Sequence, residues 1–144
     1  NVGSNSLLTL SGPVVDSAQV GGLTKFGAGT LVLGGTNTYS GNTTVSAGTL
    51  VLRSSGSLRF NIGASGVNNK IEGAGTNSAF FDGQFVFNLS GASTNSGDAW
   101  HIVTNTVGAT YGTNFLVSGF NGSGGLWTNN TNGVNYVFSQ STGS

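Results

Sequence analysis

The pentapeptide Gly29-Thr30-Leu31-Val32-Leu33 returns as Gly48-Thr49-Leu50-Val51-Leu52, a shift of 48 − 29 = 19 residues. A unit that short cannot enclose a core of its own. It can bury an apolar face only against a neighbouring unit, as one circuit of a solenoid does. Inside each copy the leucines recur every second residue, the period of a strand. A stacked β scaffold is the expected outcome.

The rest of the chain is read the same way. Leu8-Thr9-Leu10, Leu23-Thr24-Lys25-Phe26, Thr43-Thr44-Val45 and Leu58-Arg59-Phe60-Asn61-Ile62 are short strands set between glycine-containing turns. No window carries a helical stripe. From about Phe80 the strands lengthen and become aromatic, over 80–89, 99–103, 114–117, 125–128 and 134–139. Phe85 and Phe87, Trp100 and Ile102, and Tyr136 and Phe138 sit two apart, each pair on one strand face. Asn121-Gly122, Asn132-Gly133 and Gly97-Asp98 are predicted turns. The expected organisation is an N-terminal strand and linker at 1–22, β-solenoid repeats at 23–79 and an aromatic β lobe at 80–144. The lobe caps the repeats or, alternatively, folds as a β-sandwich or jelly roll.

Composition narrows the function. Glycine is abundant, 26 of 144 residues, but has no Gly-X-Y period, so collagen is excluded. Only 6% of residues are charged, and the formal net charge is zero. Four cations (Lys25, Arg53, Arg59 and Lys70) are too few for the phosphate contacts of nucleic-acid binding, and they form no polybasic patch for anionic lipid. A weakly self-repelling surface favours self-association. With no cysteine there is neither a disulfide framework nor a thiolate metal site. No apolar run reaches membrane-span length, and without a leader the chain reads as a mature or excised segment of something longer.

Three stretches carry a resemblance. They are Leu23-Thr24-Lys25-Phe26-Gly27-Ala28-Gly29-Thr30-Leu31-Val32-Leu33, then Asn37-Thr38-Tyr39-Ser40-Gly41-Asn42-Thr43-Thr44-Val45, then Ala47-Gly48-Thr49-Leu50-Val51-Leu52. In order and spacing they resemble the autotransporter-associated β-strand repeat, also called the passenger-associated transport repeat. The resemblance covers about 30 of 144 residues. It implies an exported bacterial surface protein, extracellular or on the cell surface, and a right-handed parallel β-helix. The second half is similar to the segment that follows such repeats, through Phe81-Asp82-Gly83, Asp98-Ala99-Trp100, Leu126-Trp127 and Tyr136-Val137-Phe138. Long passengers carry many repeats, and this chain has one clear copy and no membrane barrel after it. In related segments the last aromatic strand is usually followed by one more strand of the Leu-X-Val type. This chain ends at Ser141-Thr142-Gly143-Ser144. The expectation is that the strand bearing Leu7, Leu8 and Leu10 has no partner of its own. It then fills the missing position beside Tyr136 and Phe138 of a neighbour, giving an end-to-end fibre.

Residues with chemical potential are few. His101, the lone imidazole, is expected on the polar face of a strand and lacks partners for a metal site or a triad. Asp16, Glu72, Asp82 and Asp98 are read as turn and cap residues; a glycosidase would need two of them across a groove. The Gly-Ala-Gly-Thr segments beginning at Gly27 and Gly73 lack the sequel of a phosphate loop. Lys25 or Lys70 beside an Asn and an acid would be the makings of an isopeptide link. Asn42, Asn88, Asn121 and Asn129 each begin an Asn-X-Ser/Thr triplet and are the glycosylation candidates. No catalytic residue, cofactor or metal is expected. The leading expectation is a non-enzymatic extracellular module that assembles into a homo-oligomer or fibre. The alternative is an adhesin or carbohydrate-binding module, with Tyr39, Tyr111, Trp127 or Tyr136 stacking on glycans.

Overall fold

The repeat is explained by register. In the computed structural model, which describes residues 1–73, 77–104 and 107–144, Thr30 lies beside Thr49, Leu31 beside Leu50 and Leu33 beside Leu52. The two copies are therefore successive parallel strands, stacked like on like.

That pairing belongs to a larger pattern. One five-stranded parallel sheet takes β1 (Leu7–Leu10), β3 (Thr30–Leu33), β6 (Gly48–Leu52), β9 (Asn77–Phe81) and β11 (Gly108–Tyr111) in that order. A second holds β4 (Thr36–Asn37), β7 (Ser57–Asn61), β10 (Gln84–Asn88) and β12 (Leu116–Val117). A third holds β2 (Leu23–Lys25), β5 (Thr43–Val45) and β8 (Ile71–Gly73). It is continued by a parallel bridge from Ile71 to Val103. The chain visits first, second and third sheet in turn, and no helix occurs among the described residues. This all-β order is consistent with a β-solenoid. The circuit from Thr30 to Thr49 is short; the next two lengthen to 78 − 49 = 29 and 108 − 78 = 30 residues. The added length lies between the second and third sheets, at 62–70 and 89–101.

Parallel pairing runs on to Val117, after which the chain changes pattern. β13 (Asn121–Ser123), β14 (Leu126–Thr131) and β15 (Val134–Ser139) form an antiparallel meander. The Asn132-Gly133 turn falls where expected, with both residues at positive φ as a tight hairpin requires. Asn121-Gly122 is instead part of β13. There the Trp127 ring lies flat on Gly122, where a Cβ would collide with it. The predicted strand at 99–103 is also not formed: Trp100 and His101 sit in a loop, and only Val103 makes a ladder bridge.

The core runs down the middle of the three sheets and changes character along its length. One inward column reads Leu10, Leu33, Leu52, Phe81, Tyr111 from first circuit to last. The aliphatic end is plugged by Val2, which is buried and whose backbone bonds the Phe26 carbonyl and the Gly29 N–H. At the aromatic end Phe85 lies at the centre of a cluster. Its ring is 4.9 Å from Phe60, 5.1 Å from Phe81, 5.0 Å from Phe115 and 5.8 Å from Phe138, all edge-on. Edge-to-face packing of this kind adds to the stabilisation from burial.

Candidate functional site

The residues that define the 23–52 pattern are occupied in holding the circuits together. The Asn37 side chain is buried at a corner, where its carbonyl accepts from the Val14 N–H at 3.0 Å. Its amide donates to the Gly35 carbonyl at 2.8 Å and the Ser57 carbonyl at 3.0 Å. One side chain thus ties three successive circuits. The Tyr39 hydroxyl shares a 2.5 Å hydrogen bond with Thr43, and burial pushes its pKa up to about 12 despite that bond. Tyr39 is therefore core. Lys25 is buried with its ammonium donating to the carbonyls of Phe26, Gly27 and Ala47 at 3.0, 2.5 and 3.0 Å. Desolvation lowers its pKa. The ammonium thus joins the turn after β2 to the turn before β6, adding to the bond that the Phe26 carbonyl already accepts from the Val2 N–H. Gly48 has φ 71°, and a Cβ there would run into the Gly29 carbonyl of the preceding circuit.

Asp16 and Asp82 clip loops; Glu72, read from the sequence as a turn or cap residue, lies instead within β8. The Asp16 carboxylate accepts from the Gly21 N–H at 2.8 Å, the Ser40 N–H at 2.9 Å and the Ser40 hydroxyl. The Ser40 hydroxyl bond, more than any other, holds its pKa below the usual carboxylate range. Asp82 accepts from the Asn114 side-chain amide at 2.9 Å and backbone N–H at 3.0 Å, and these lower it likewise. Glu72 pairs with Lys70 at 3.0 Å, its pKa lowered by that lysine, and takes a further bond from Asn42 at 3.2 Å. Lys25 faces carbonyls and has no acid beside it among the described residues, whereas Lys70 has both an acid and an Asn near it, Glu72 and Asn42.

Asp98 is different. Its Oδ2 is shielded from solvent and has no hydrogen-bond partner. It lies in a cleft of about 570 Å³ between the 89–101 loop and β15. Phe87, Phe120, Trp100 and Tyr136 line it, the last two as a tilted pair with ring centroids 6.4 Å apart and 40° from parallel. The Trp100 indole N–H donates to the Ala64 carbonyl at 2.8 Å, which fixes the ring. A second depression of about 380 Å³ shares Leu89, Thr94, Val134 and Tyr136 with the first, so the groove continues past Tyr136. Asp98 is the sole carboxylate in its lining, one short of the pair that glycoside hydrolysis uses. Of the aromatics proposed to stack on sugars, only Tyr136 lines this groove. Trp127 packs edge-on against Phe115 at 5.6 Å. Tyr111 is in the aromatic cluster, and burial raises its pKa to about 12. Trp100, the stronger platform, was read from its spacing as a core strand residue.

At the opposite end the first circuit is open. Leu8 points inward in register with Leu31, yet it is 44% exposed because no strand lies beneath it. Among the described residues nine large apolar side chains are exposed, and five of them (Leu7, Leu8, Val15, Val20 and Phe26) belong to this circuit. The expectation that 7–10 has no partner in its own chain is not met, since β1 pairs with β3 along its full length. Its other edge is open. Leu10 is half-buried, Tyr136 lines the cleft, and Phe138 is buried in the aromatic cluster. The C-terminal residues fold back, and the Gly143 carbonyl accepts from the N–H groups of Ile102 and Val103.

The remaining candidates are scattered. His101 is exposed, its Nδ1 2.9 Å from the Ser144 hydroxyl. Asn121 is exposed. Asn42, Asn88 and Asn129 are half-buried and use their amide nitrogens, toward Glu72, Asn61 and the Gly119 carbonyl. Of the segment beginning at Gly73, Gly73 ends β8 and residues 74–76 lie outside the described residues. No group of three or more metal-ligating side chains occurs among the described residues.

Comparison with known proteins agrees with the repeat. Residues 23–52 match the passenger-associated-transport-repeat family. Over 42 residues, 29% of its length, the chain is 55% identical to the protein named Adhesin BmaC autotransporter of Brucella suis biovar 1 (strain 1330). It spans about 1% of that relative's length. No solved structure matches. The chain thus carries an autotransporter passenger repeat, which places it outside the cell or at the cell surface.

Proposed function

We propose that this chain is a non-enzymatic structural module of a bacterial surface passenger, a right-handed β-solenoid whose aromatic meander covers the late core but leaves β11 at the open edge of its sheet, where the first circuit of another copy stacks. The handedness follows the near-universal preference of parallel β crossovers. The observation that carries the reading is the open first circuit. Soluble proteins protect edge strands with charge, proline or bulges, and Leu7-Leu8-Thr9-Leu10 has none of these. An exposed inward leucine beside an unpaired backbone edge is one half of a β ladder. The occupant we favour is a second copy, whose β11 is the other edge strand of the same sheet. Such a head-to-tail contact does not close on itself and yields a filament.

Light scattering and electron microscopy of the purified chain test this. The wild type should form concentration-dependent linear oligomers, and Leu8→Asp should stay monomeric with an unchanged thermal midpoint. A wild type that stays monomeric at high concentration would overturn stacking between copies.

A second reading, an adhesin module that binds a glycan, is supported by the groove beside Trp100 and by the relative's designation as an adhesin.

A further inference from the structure

We infer that the groove between the 89–101 loop and β15 binds a neutral oligosaccharide, with Trp100 and Tyr136 as stacking platforms and Asp98 as the hydroxyl acceptor. The inference rests on the second reading above, that the module is glycan-binding, and gives that reading a place and a ligand class.

Four observations converge. First, a pyranose ring has an apolar C–H face and a rim of hydroxyls, so it needs an aromatic plane with acceptors beside it. The Trp100 and Tyr136 rings form a tilted pair 6.4 Å apart and 40° from parallel, and both line the groove, so together they make one aromatic platform. The indole N–H is already committed to Ala64, so the ring face, not the polar edge, is what Trp100 offers a ligand. Second, Asp98 departs from the other three acids. Asp16, Glu72 and Asp82 each accept bonds, whereas Asp98 keeps Oδ2 shielded and without a partner. Leaving a carboxylate oxygen in that state is unfavourable, and a rotation of the Asp98 side chain toward the groove, where a ligand hydroxyl donates to it, removes the deficit.

Third, charge selects the ligand class. The lining contains no lysine or arginine, so nothing there would compensate a sulfate or a sialic acid carboxylate. Fourth, extent selects an oligomer. The groove passes Tyr136 into the second depression, where Thr131 and Asn132 add polar groups. An aromatic pair with one carboxylate also attracts organic cations. The elongated form and the amides of Asn95 and Asn135 in the lining favour a chain of hydroxyl-bearing rings over a single ammonium.

The test uses intrinsic fluorescence, because the chain has two tryptophans. Trp127→Phe leaves Trp100 as the reporter and replaces an indole N–H that has no partner. This variant is titrated with maltotriose, cellotriose and chitotriose, and with choline and a heparin hexasaccharide as charged controls. A saturable change with at least one neutral trisaccharide is expected. Asp98→Ala and Tyr136→Ala should each weaken it by about tenfold. Tyr136→Phe, which keeps the ring, should bind as the parent does, and Leu8→Asp should have no effect. Binding of none of the neutral probes, binding of choline alone, or neutral binding indifferent to Asp98 and Tyr136 would overturn the inference. Saccharide binding on a glycan array that leaves Trp100 fluorescence unmoved would refute this site while the adhesin reading stands.

Discussion

The two ends of this molecule solve the same problem in opposite ways. A stack of parallel strands leaves its first and last layers with apolar side chains that lack a neighbour. At the late end, circuits lengthen, the inward column changes from leucine to phenylalanine and tyrosine, and the meander β13–β15 folds over the result with Phe138 beneath it. At the early end only Val2 plugs the centre, and Leu7, Leu8, Val15, Val20 and Phe26 remain exposed. The late end has its core covered and β11 left at the sheet edge, and the early end keeps the apolar side chains of its first circuit exposed. The core of a β stack can thus be covered internally by aromatic bulk and a change of strand direction, or left to be completed by another surface.

The largest effect should come from the late end. Phe85→Ala removes the ring at the centre of the cluster, a fully buried side chain. It should cost about 3–5 kcal/mol in chemical denaturation, as aromatic truncations in cores do. A loss below about 1 kcal/mol would show that the aromatic end is not the stabilising one.

A middle-sized effect is expected at Asn37. Its replacement by alanine leaves the Val14 N–H without its partner and removes the side-chain bonds to the carbonyls of Gly35, which keeps the Ser57 N–H, and of Ser57; it should cost about 1–3 kcal/mol. Hydrogen exchange should show the damage confined to the early circuits. Loss of protection around Phe85 instead would mean the two ends unfold as one unit.

The smallest effect is that of acid. Asp16, Glu72 and Asp82 all have pKa values lowered in the folded state from ordinary values of 3.8, 4.5 and 3.8. Below those ordinary values the unfolded chain binds more protons than the folded one, so stability is full above them and declines as pH falls through the folded values. The thermal midpoint should be flat from pH 7 to 5 and fall below about pH 4.5. Segment 13–22, clipped by Asp16, should loosen before the 112–115 turn, where Asp82 is helped by the Gly112 N–H bonded to Phe81. A midpoint that rises on acidification would contradict the clips.

Much of this was legible before the structure, and the limits are physical. The leucine alternation and the 19-residue shift specify strands and their like-on-like stacking, because both are local periodicities. Asn132-Gly133 marked its hairpin because the turn chemistry lies within two residues. Asn121-Gly122 misled because that glycine answers to a distant ring, Trp127. Trp100 was misread for a related reason. Its period-two spacing to Ile102 mimics a strand, but its position is set by the Ala64 carbonyl 36 residues earlier.

The sequence alone determined the strand content, the near-absence of charge and the repeat of a surface passenger, all carried by residue types and short-range spacing. Only tertiary structure decided that β1 is paired within its own chain on one edge and open on the other, that Lys25 and Asn37 are interior fasteners, and that Asp98 is the acid left without a partner. Each of these depends on which distant backbone groups a fold brings within hydrogen-bond reach, and no local pattern encodes that distance.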